Sequence, residues 1–212
     1  AGARYGYQML WVVVVITFVL IIVQEMAARM GAVTQKGLGE LIREQFGVRW
    51  TLFALVTLLV ANLATTIAEF AGVAASTELL GLSRYISVPL AAVFVWFLVV
   101  RGTFKTVERV FLGLALLYAT YIISGILARP DWHVVGQNIL HPTLKFDRDY
   151  ILLVVAVIGT TITPWMQFFL QASVVDKGVY IKHYGIQKAD VTIGSILTDV
   201  VSFFIIIAAA VT

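Results

Sequence analysis

Long apolar runs separated by short polar stretches recur along this chain, and each is long enough to cross a bilayer as a helix. The first covers about Tyr7 to Ala28, and a polar loop follows through Arg49. That loop holds Gly37, Gly39 and a short amphipathic piece from Leu38 to Phe46. Trp50 to Leu80 comes next, long enough to cross with tilt and extend into the interface. Ile86 to Val100, Thr106 to Leu127, Tyr150 to Val175 and Asp190 to Thr212 complete six expected spans. The connector Ala128 to Asp149 holds Pro130, His133, His141, Pro142 and three acids, which predicts an irregular exposed loop. Neither a short-period repeat nor a low-complexity segment interrupts the pattern.

One of these spans carries its own break. Gly159-Thr160-Thr161-Ile162-Thr163-Pro164-Trp165 lies within the Tyr150 to Val175 run. Pro164 lacks a backbone donor and its ring clashes with the preceding turn, and it pushes Thr163 away from helical angles. Three threonines and a glycine just upstream weaken the helix further. The span is therefore expected to open over 161–164. In lipid such a break is tolerated only where the freed carbonyls are buried in protein or line a cavity. Secondary transporters build substrate sites from discontinuous helices of this kind, so the pattern points to ion or small-solute transport.

Composition sets the class. Hydrophobic residues make up 60% of the chain and charged residues 13%, with a mean hydropathy of +0.95, which predicts an all-α integral membrane protein. The absence of cysteine removes disulfides, thiolate metal sites and thiol catalysis. A net charge of +3 comes from dispersed basic residues, so nucleic acid is not an expected partner. The lipid bilayer is. Ten Lys and Arg residues fall on the side of the Arg29–Arg49 loop and five on the other, out of 15 in all, which places that loop in the cytoplasm. No signal peptide is visible, and both ends stop in or beside apolar sequence. The chain reads as one internal transmembrane segment, 1–212, of a longer transporter, and a monomer is expected. An enzyme is not, since no nucleophile–base pair or metal-ligand cluster lies in or beside the spans. No resident cofactor is expected either.

Polar residues inside spans are the candidates for chemistry. A charged acid at a helix centre costs about 2.5–3.5 kcal/mol on insertion scales, and such groups usually face a cavity or a partner. Glu69 is near the middle of its span and reads as part of a transport path or as a protonated packing residue. Asp199, roughly two turns into the last span, either lies on the path or ties helices together near the cytoplasmic side. Gln167 and Gln171, spaced i, i+4 after the break, either line a hydrophilic route or bond to neighbouring helices. Glu25 and Arg29 have the same spacing and read as a local ion pair, and Asn62 as an interhelical hydrogen bond. His133, His141 and His183 fall in loops and read as surface residues.

Several stretches together resemble the NRAMP divalent-metal transporter family. Tyr5-Gly6-Tyr7-Gln8-Met9-Leu10-Trp11 is similar to the family's entry to helix two. Gln24-Glu25-Met26-Ala27-Ala28-Arg29-Met30-Gly31-Ala32-Val33-Thr34, with Leu38-Gly39-Glu40 after it, resembles the end of that helix and its loop. Ile67-Ala68-Glu69-Phe70-Ala71-Gly72 resembles the middle of helix three, and Gly159 to Pro164 the unwound stretch of helix six. The resemblance implies a LeuT-like fold of two inverted five-helix repeats, of which this chain would be helices two to seven. It implies that the ion is held between the breaks of helices one and six. Helix one, with the family's Asp-Pro-Gly-Asn ligands, would lie upstream of Ala1.

The departures from the family sharpen the expectation. Thr163 stands at the family's ion-binding Met, and Ile162 at the position that offers a backbone carbonyl. A thioether favours soft metals, whereas hydroxyl, carbonyl, carboxylate and water suit hard cations such as Mg²⁺, which usually keeps several waters. Three positions that titrate in the family are also replaced: Trp165 and Leu170 stand for its histidines, and Thr66 for its helix-three Asp. These features are similar to those of the family's magnesium-transporting branch. The expected function is therefore transport of Mg²⁺, and also Mn²⁺, by alternating access without proton coupling, in a bacterial inner membrane. Ile162 and Thr163 are the expected metal contacts, and Glu69, Trp165, Gln167 and Asp199 the expected path. A proton-coupled Mn²⁺/Fe²⁺ importer, a related organic-solute carrier and a non-transporting membrane scaffold are the alternatives.

Overall fold

The structure, a computed structural model, describes residues 2–102 and 104–211. Ala1, Thr212 and the side chain of Lys105, which enter the expected segment and the charge count, lie outside the described residues. Every regular element described is helical. The helices are α1 (Gly2–Tyr5), α2 (Leu10–Thr34), α3 (Leu38–Phe46), α4 (Val48–Leu79), α5 (Arg84–Arg101) and α6 (Phe104–Ala115). They continue with α7 (Ala119–Leu127), α8 (Trp132–Leu140), α9 (Arg148–Thr161), α10 (Pro164–Asp176) and α11 (Tyr184–Val211). Among the described residues, five helical segments are long and apolar enough to cross a membrane: Gly2–Thr34, Val48–Leu79, Arg84–Arg101, Arg148–Asp176 and Ile181–Val211. A bent pair, Leu112–Leu127 with Trp132–Leu140 at 107°, raises the number to six if it counts as one span.

The chain divides into two compact units, Ala1–Thr51 with Tyr118–Thr212, and Leu52–Leu117. In the first, α2 is the central element, packed against α11 and α10. Leu10 and Val13 near its start pack with Ile206 and Ile207 of α11 and Val135 of α8. Ala28 and Ala32 near its end pack with Val174 of α10 and Val191 at the start of α11. The two helices therefore run antiparallel, with an apolar cluster at each end of their contact. Without a hydrophobic driving force between helices in lipid, close approach depends on small residues. Gly31 supplies one such approach: a Cβ there would meet the Gln171 carbonyl oxygen at 3.0 Å and the Val174 Cβ at 3.2 Å.

The second unit holds the remainder of α4 with α5 and α6. Ser83 caps α5 by accepting from the Tyr85 N–H. The Thr77 hydroxyl donates to Ser87 Oγ at 2.7 Å, and Arg84 pairs with Glu78, so the turn between α4 and α5 is held by side chains. Val73, Leu82, Ile86, Leu90 and Phe94 line an apolar cavity of about 500 Å³ in this unit.

Two expectations need correction. The connector after Leu127 is not irregular throughout, because α8 forms within it. Asp131 caps that helix, its carboxylate accepting from the His133 N–H at 2.9 Å and the Val134 N–H at 3.3 Å. Val135 is then carried into the core and Ile139 packs beside it, an i, i+4 pair that the flanking prolines disguise. Glu25 does not form the expected ion pair with Arg29: the Tyr184 hydroxyl donates to its carboxylate instead.

Candidate functional site

The span opens at Ile162 and Thr163, a narrower break than the expected 161–164. α9 ends at Thr161 and α10 begins at Pro164, which takes the first helical position, where a missing N–H costs nothing. Between them Ile162 lies at φ −107°, ψ 70° and Thr163 at φ −78°, ψ 139°, both outside helical angles. The Ile162 N–H still closes on the Ile158 carbonyl at 2.9 Å, and the Thr163 carbonyl accepts from the Met166 N–H at 3.2 Å. Among the described residues no backbone N–H donates to the Ile162 carbonyl. Thr163 is buried, and its hydroxyl has no partner. The carboxyl end of α9 and the amino end of α10 thus meet at two residues with free oxygens, and half-helix ends of this kind are where cations and anions are held.

A cavity of about 480 Å³ opens beside the break. Its wall is built from Leu20 and Gln24 of α2, Thr160 and Thr161 of α9, Met166 of α10, and Ser195, Thr198, Asp199 and Ser202 of α11, with Gly194. It lies along α2 between the two apolar clusters. That helix is 25 residues long, about 37 Å at 1.5 Å per residue, so the cavity is near its middle.

Asp199 is the charged member of this wall. It is 3% exposed, and its Oδ2 has no hydrogen-bond partner. Lys188 and Asp190 do not delay α11, which starts at Tyr184, so Asp199 sits midway along its 28 residues rather than two turns from its start. The ion pairs among the described residues are Arg4–Asp149, Lys36–Glu44 and Arg84–Glu78, and none includes it.

The remaining expected residues are not among those lining this cavity. Gln167 has both side-chain amide atoms buried without partners. Gln171 is fully buried, and its Nε2 donates to the Lys36 carbonyl at 2.9 Å, which resolves its two readings in favour of a bond to a neighbouring element. Trp165 is 42% exposed and meets Phe169 edge to face, the centroids 6.2 Å apart. Glu69 is exposed on α4, in the second unit. Ile162 and Thr163 are not on the cavity wall, although Thr160, Thr161 and Met166 on either side of them are. Gln24, Ser195 and Ser202 were not expected. The one signal in the sequence was the i, i+4, i+7 spacing of Ser195, Asp199 and Ser202, which puts three oxygens on one helix face.

Among the described residues, one candidate span is opened near its middle, and a cavity with a polar wall lies beside the opening. Residues 1–212 match the model of the Nramp family, described as natural resistance-associated macrophage protein-like. The chain belongs to that family, and with it to the LeuT-like fold. A protein of Yersinia enterocolitica serotype O:8, named divalent metal cation transporter MntH, is 32% identical over 217 residues, covering 99% of this chain and 53% of its own length. The MntH proteins of Yersinia pestis (strain Pestoides F) and Yersinia pseudotuberculosis serotype O:1b are each 33% identical over 219 residues, with the same coverage. The chain spans about half the length of these curated relatives.

Proposed function

We infer that the protein carries divalent metal cations across a bacterial inner membrane by alternating access, and that Mg²⁺, with Mn²⁺, is its substrate. Free oxygen at the break supports this reading most directly: a buried, unpartnered Thr163 hydroxyl and an Ile162 carbonyl without a backbone donor. Such oxygens are worth retaining only if something binds them, since a buried polar group left unpaired costs about 1–3 kcal/mol. Hydroxyl and carbonyl donors suit a hard cation, and the smaller Thr leaves room for retained water. Trp165, Gln167 and Asp199 would line the route within the first unit. Loss of three titratable family positions, at Thr66, Trp165 and Leu170, supports transport without proton coupling.

A second reading is a proton-coupled importer of Mn²⁺ or Fe²⁺. Met166 favours it, because it brings a thioether to the cavity beside the break, and the relatives named above are called divalent metal cation transporters. Uptake by the full-length protein in proteoliposomes separates the two. The first reading expects Mg²⁺ flux, competition between Mg²⁺ and Mn²⁺, and no dependence on a proton gradient. Mn²⁺ flux that ignores Mg²⁺ and moves protons would establish the second. Absence of any metal flux would overturn both.

A further inference from the structure

We propose that Gln35 and Gln171 are positioning residues for transport: together they clamp α10, the half of the broken span that follows the break, onto α2, and the clamp stays closed while access changes. The proposal rests on the transport reading. What it adds is where the moving parts divide.

The two glutamines exchange bonds. Gln171 of α10 donates its side-chain amide to the carbonyl of Lys36, in the turn that follows α2, at 2.9 Å. Gln35, at the end of α2, donates its own amide to the carbonyl of Val179, in the turn that follows α10, also at 2.9 Å. Each helix therefore holds the turn that leaves the other. Both accepting carbonyls lie outside helices, where no helical ladder supplies a donor. A glutamine amide carries two protons, and Gln35 places the second on its own helix, at the Ala32 carbonyl 3.0 Å away.

Between the turns the helices touch along small residues. Ala28, Gly31 and Ala32 are spaced i, i+3, i+4 and share one face of α2. Val174 of α10 packs in one cluster with the two alanines, and a Cβ added at Gly31 would lie 3.2 Å from the Val174 Cβ. Contact of this closeness is how helices associate in lipid, where no hydrophobic force drives them together. α3 is carried along, since the Cβ position of Gly39 is 3.7 Å from the Phe168 ring.

Burial decides between a clamp and a latch. A contact that opens in every cycle has to hand its polar groups to water or to new partners. Gln171 and Ala28 are fully buried, and Val174 nearly so. Further chain packed on this unit can only add to that cover. Parting α10 from α2 would strand the Gln171 amide and two backbone carbonyls in one step and break the Gly31 seam. The joint left free in the span is the break itself, where Ile162 and Thr163 leave helical angles. Access then changes by movement at that break or on the other faces of α10, with α2 and α10 travelling as one body.

A disulfide tests the clamp directly. Gly31→Cys with Val174→Cys puts two Cβ atoms 3.2 Å apart, a small shift from the about 3.5–4.5 Å of a natural bridge. The full-length protein with this pair, any other cysteines replaced, is reconstituted in proteoliposomes, and Mn²⁺ uptake is measured reduced and oxidised. Uptake by the oxidised protein is expected within about threefold of the reduced one, because the step that limits turnover does not part these helices. A larger drop, reversed by reductant, would overturn the clamp and leave transport standing. Should the pair not fold, or be inactive when reduced, Gln35→Leu and Gln171→Leu carry the test. Each is expected to lower maximal uptake per folded protein about fivefold while the KM for Mn²⁺ stays within about twofold, because both bonds lie away from the break. The double variant should be no slower than the slower single, since the two bonds serve one clamp. Full uptake in both singles, or losses that multiply in the double, would overturn the positioning role. A wild type that carries no Mn²⁺ would remove the transport reading, and the role with it.

Discussion

Gln171 of α10 donates its side-chain amide to the backbone carbonyl of Lys36, 2.9 Å away and 135 positions earlier in the chain. Two other bonds span the same end of the first unit. The Gln35 amide donates to the Val179 carbonyl at 2.9 Å, and the Tyr184 hydroxyl to the Glu25 carboxylate. Together they tie the exit of α2 to α10 and to the segment that leads into α11. Gln35 reaches its partner from a left-handed backbone, φ 54°, which ends α2 and turns the chain toward α3.

Replacing Gln171 by Leu keeps the volume approximately but strands the Lys36 carbonyl. The expected loss is about 1–3 kcal/mol, the usual cost of leaving one buried partner unpaired. Thermal unfolding of the purified protein in detergent would show it as a lower Tm. An unchanged Tm would mean that the bond contributes nothing.

Gly31 and Gly136 make opposite predictions for the same substitution. Alanine at Gly31 puts a Cβ 3.0 Å from the Gln171 oxygen and 3.2 Å from Val174, so α10 must move away from α2. Overpacking of this kind costs about 1–3 kcal/mol. Gly136 within α8 has nothing within 4 Å of its Cβ position, and alanine there is expected to gain up to about 1 kcal/mol from helix propensity. Comparison of the two Tm values with wild type checks the sign of each.

Asp131→Ala removes the cap of α8 and should cost about 0.5–2 kcal/mol, concentrated in that helix. Hydrogen exchange would locate the effect: faster exchange is expected over Trp132–Leu140, with little change in α10. Uniform acceleration throughout the first unit would show that α8 does not open by itself.

Lys36 gives a pH prediction at the loop between α2 and α3. The hydrogen bond to the Glu44 carboxylate raises its amine above the ordinary lysine value, and the charges of Glu44 and Glu40 act in the same direction. A raised amine pKa stabilises the folded state below the unfolded value, and that contribution disappears as pH climbs through the folded one. Glu44→Gln should return the Lys36 titration toward its ordinary range, as followed by NMR of the lysine side chain. Because the pair is solvent-screened, stability at neutral pH should barely change.

Much of the fold was legible from the order of residues. Apolar runs separated by polar loops specify membrane helices because unpaired backbone is intolerable in lipid, and Pro164 after three threonines specifies where one helix must open. Ser195, Asp199 and Ser202 were legible as one face of a helix. What that face meets was not. The hydropathy of α11 does not say that Leu20 and Gln24 oppose it, since an apolar helix presents greasy surface all round. Nor does the pattern show that the Ser195 hydroxyl, which donates to the Val191 carbonyl of its own helix at 2.8 Å, also reaches the Gln24 Oε1 of α2 at 3.4 Å. Local stereochemistry is written residue by residue, so the break is predictable from seven consecutive positions. The cavity joins residues as far apart as Leu20 and Ser202, 182 positions, and only the packing of α2 against α11 brings them to one place.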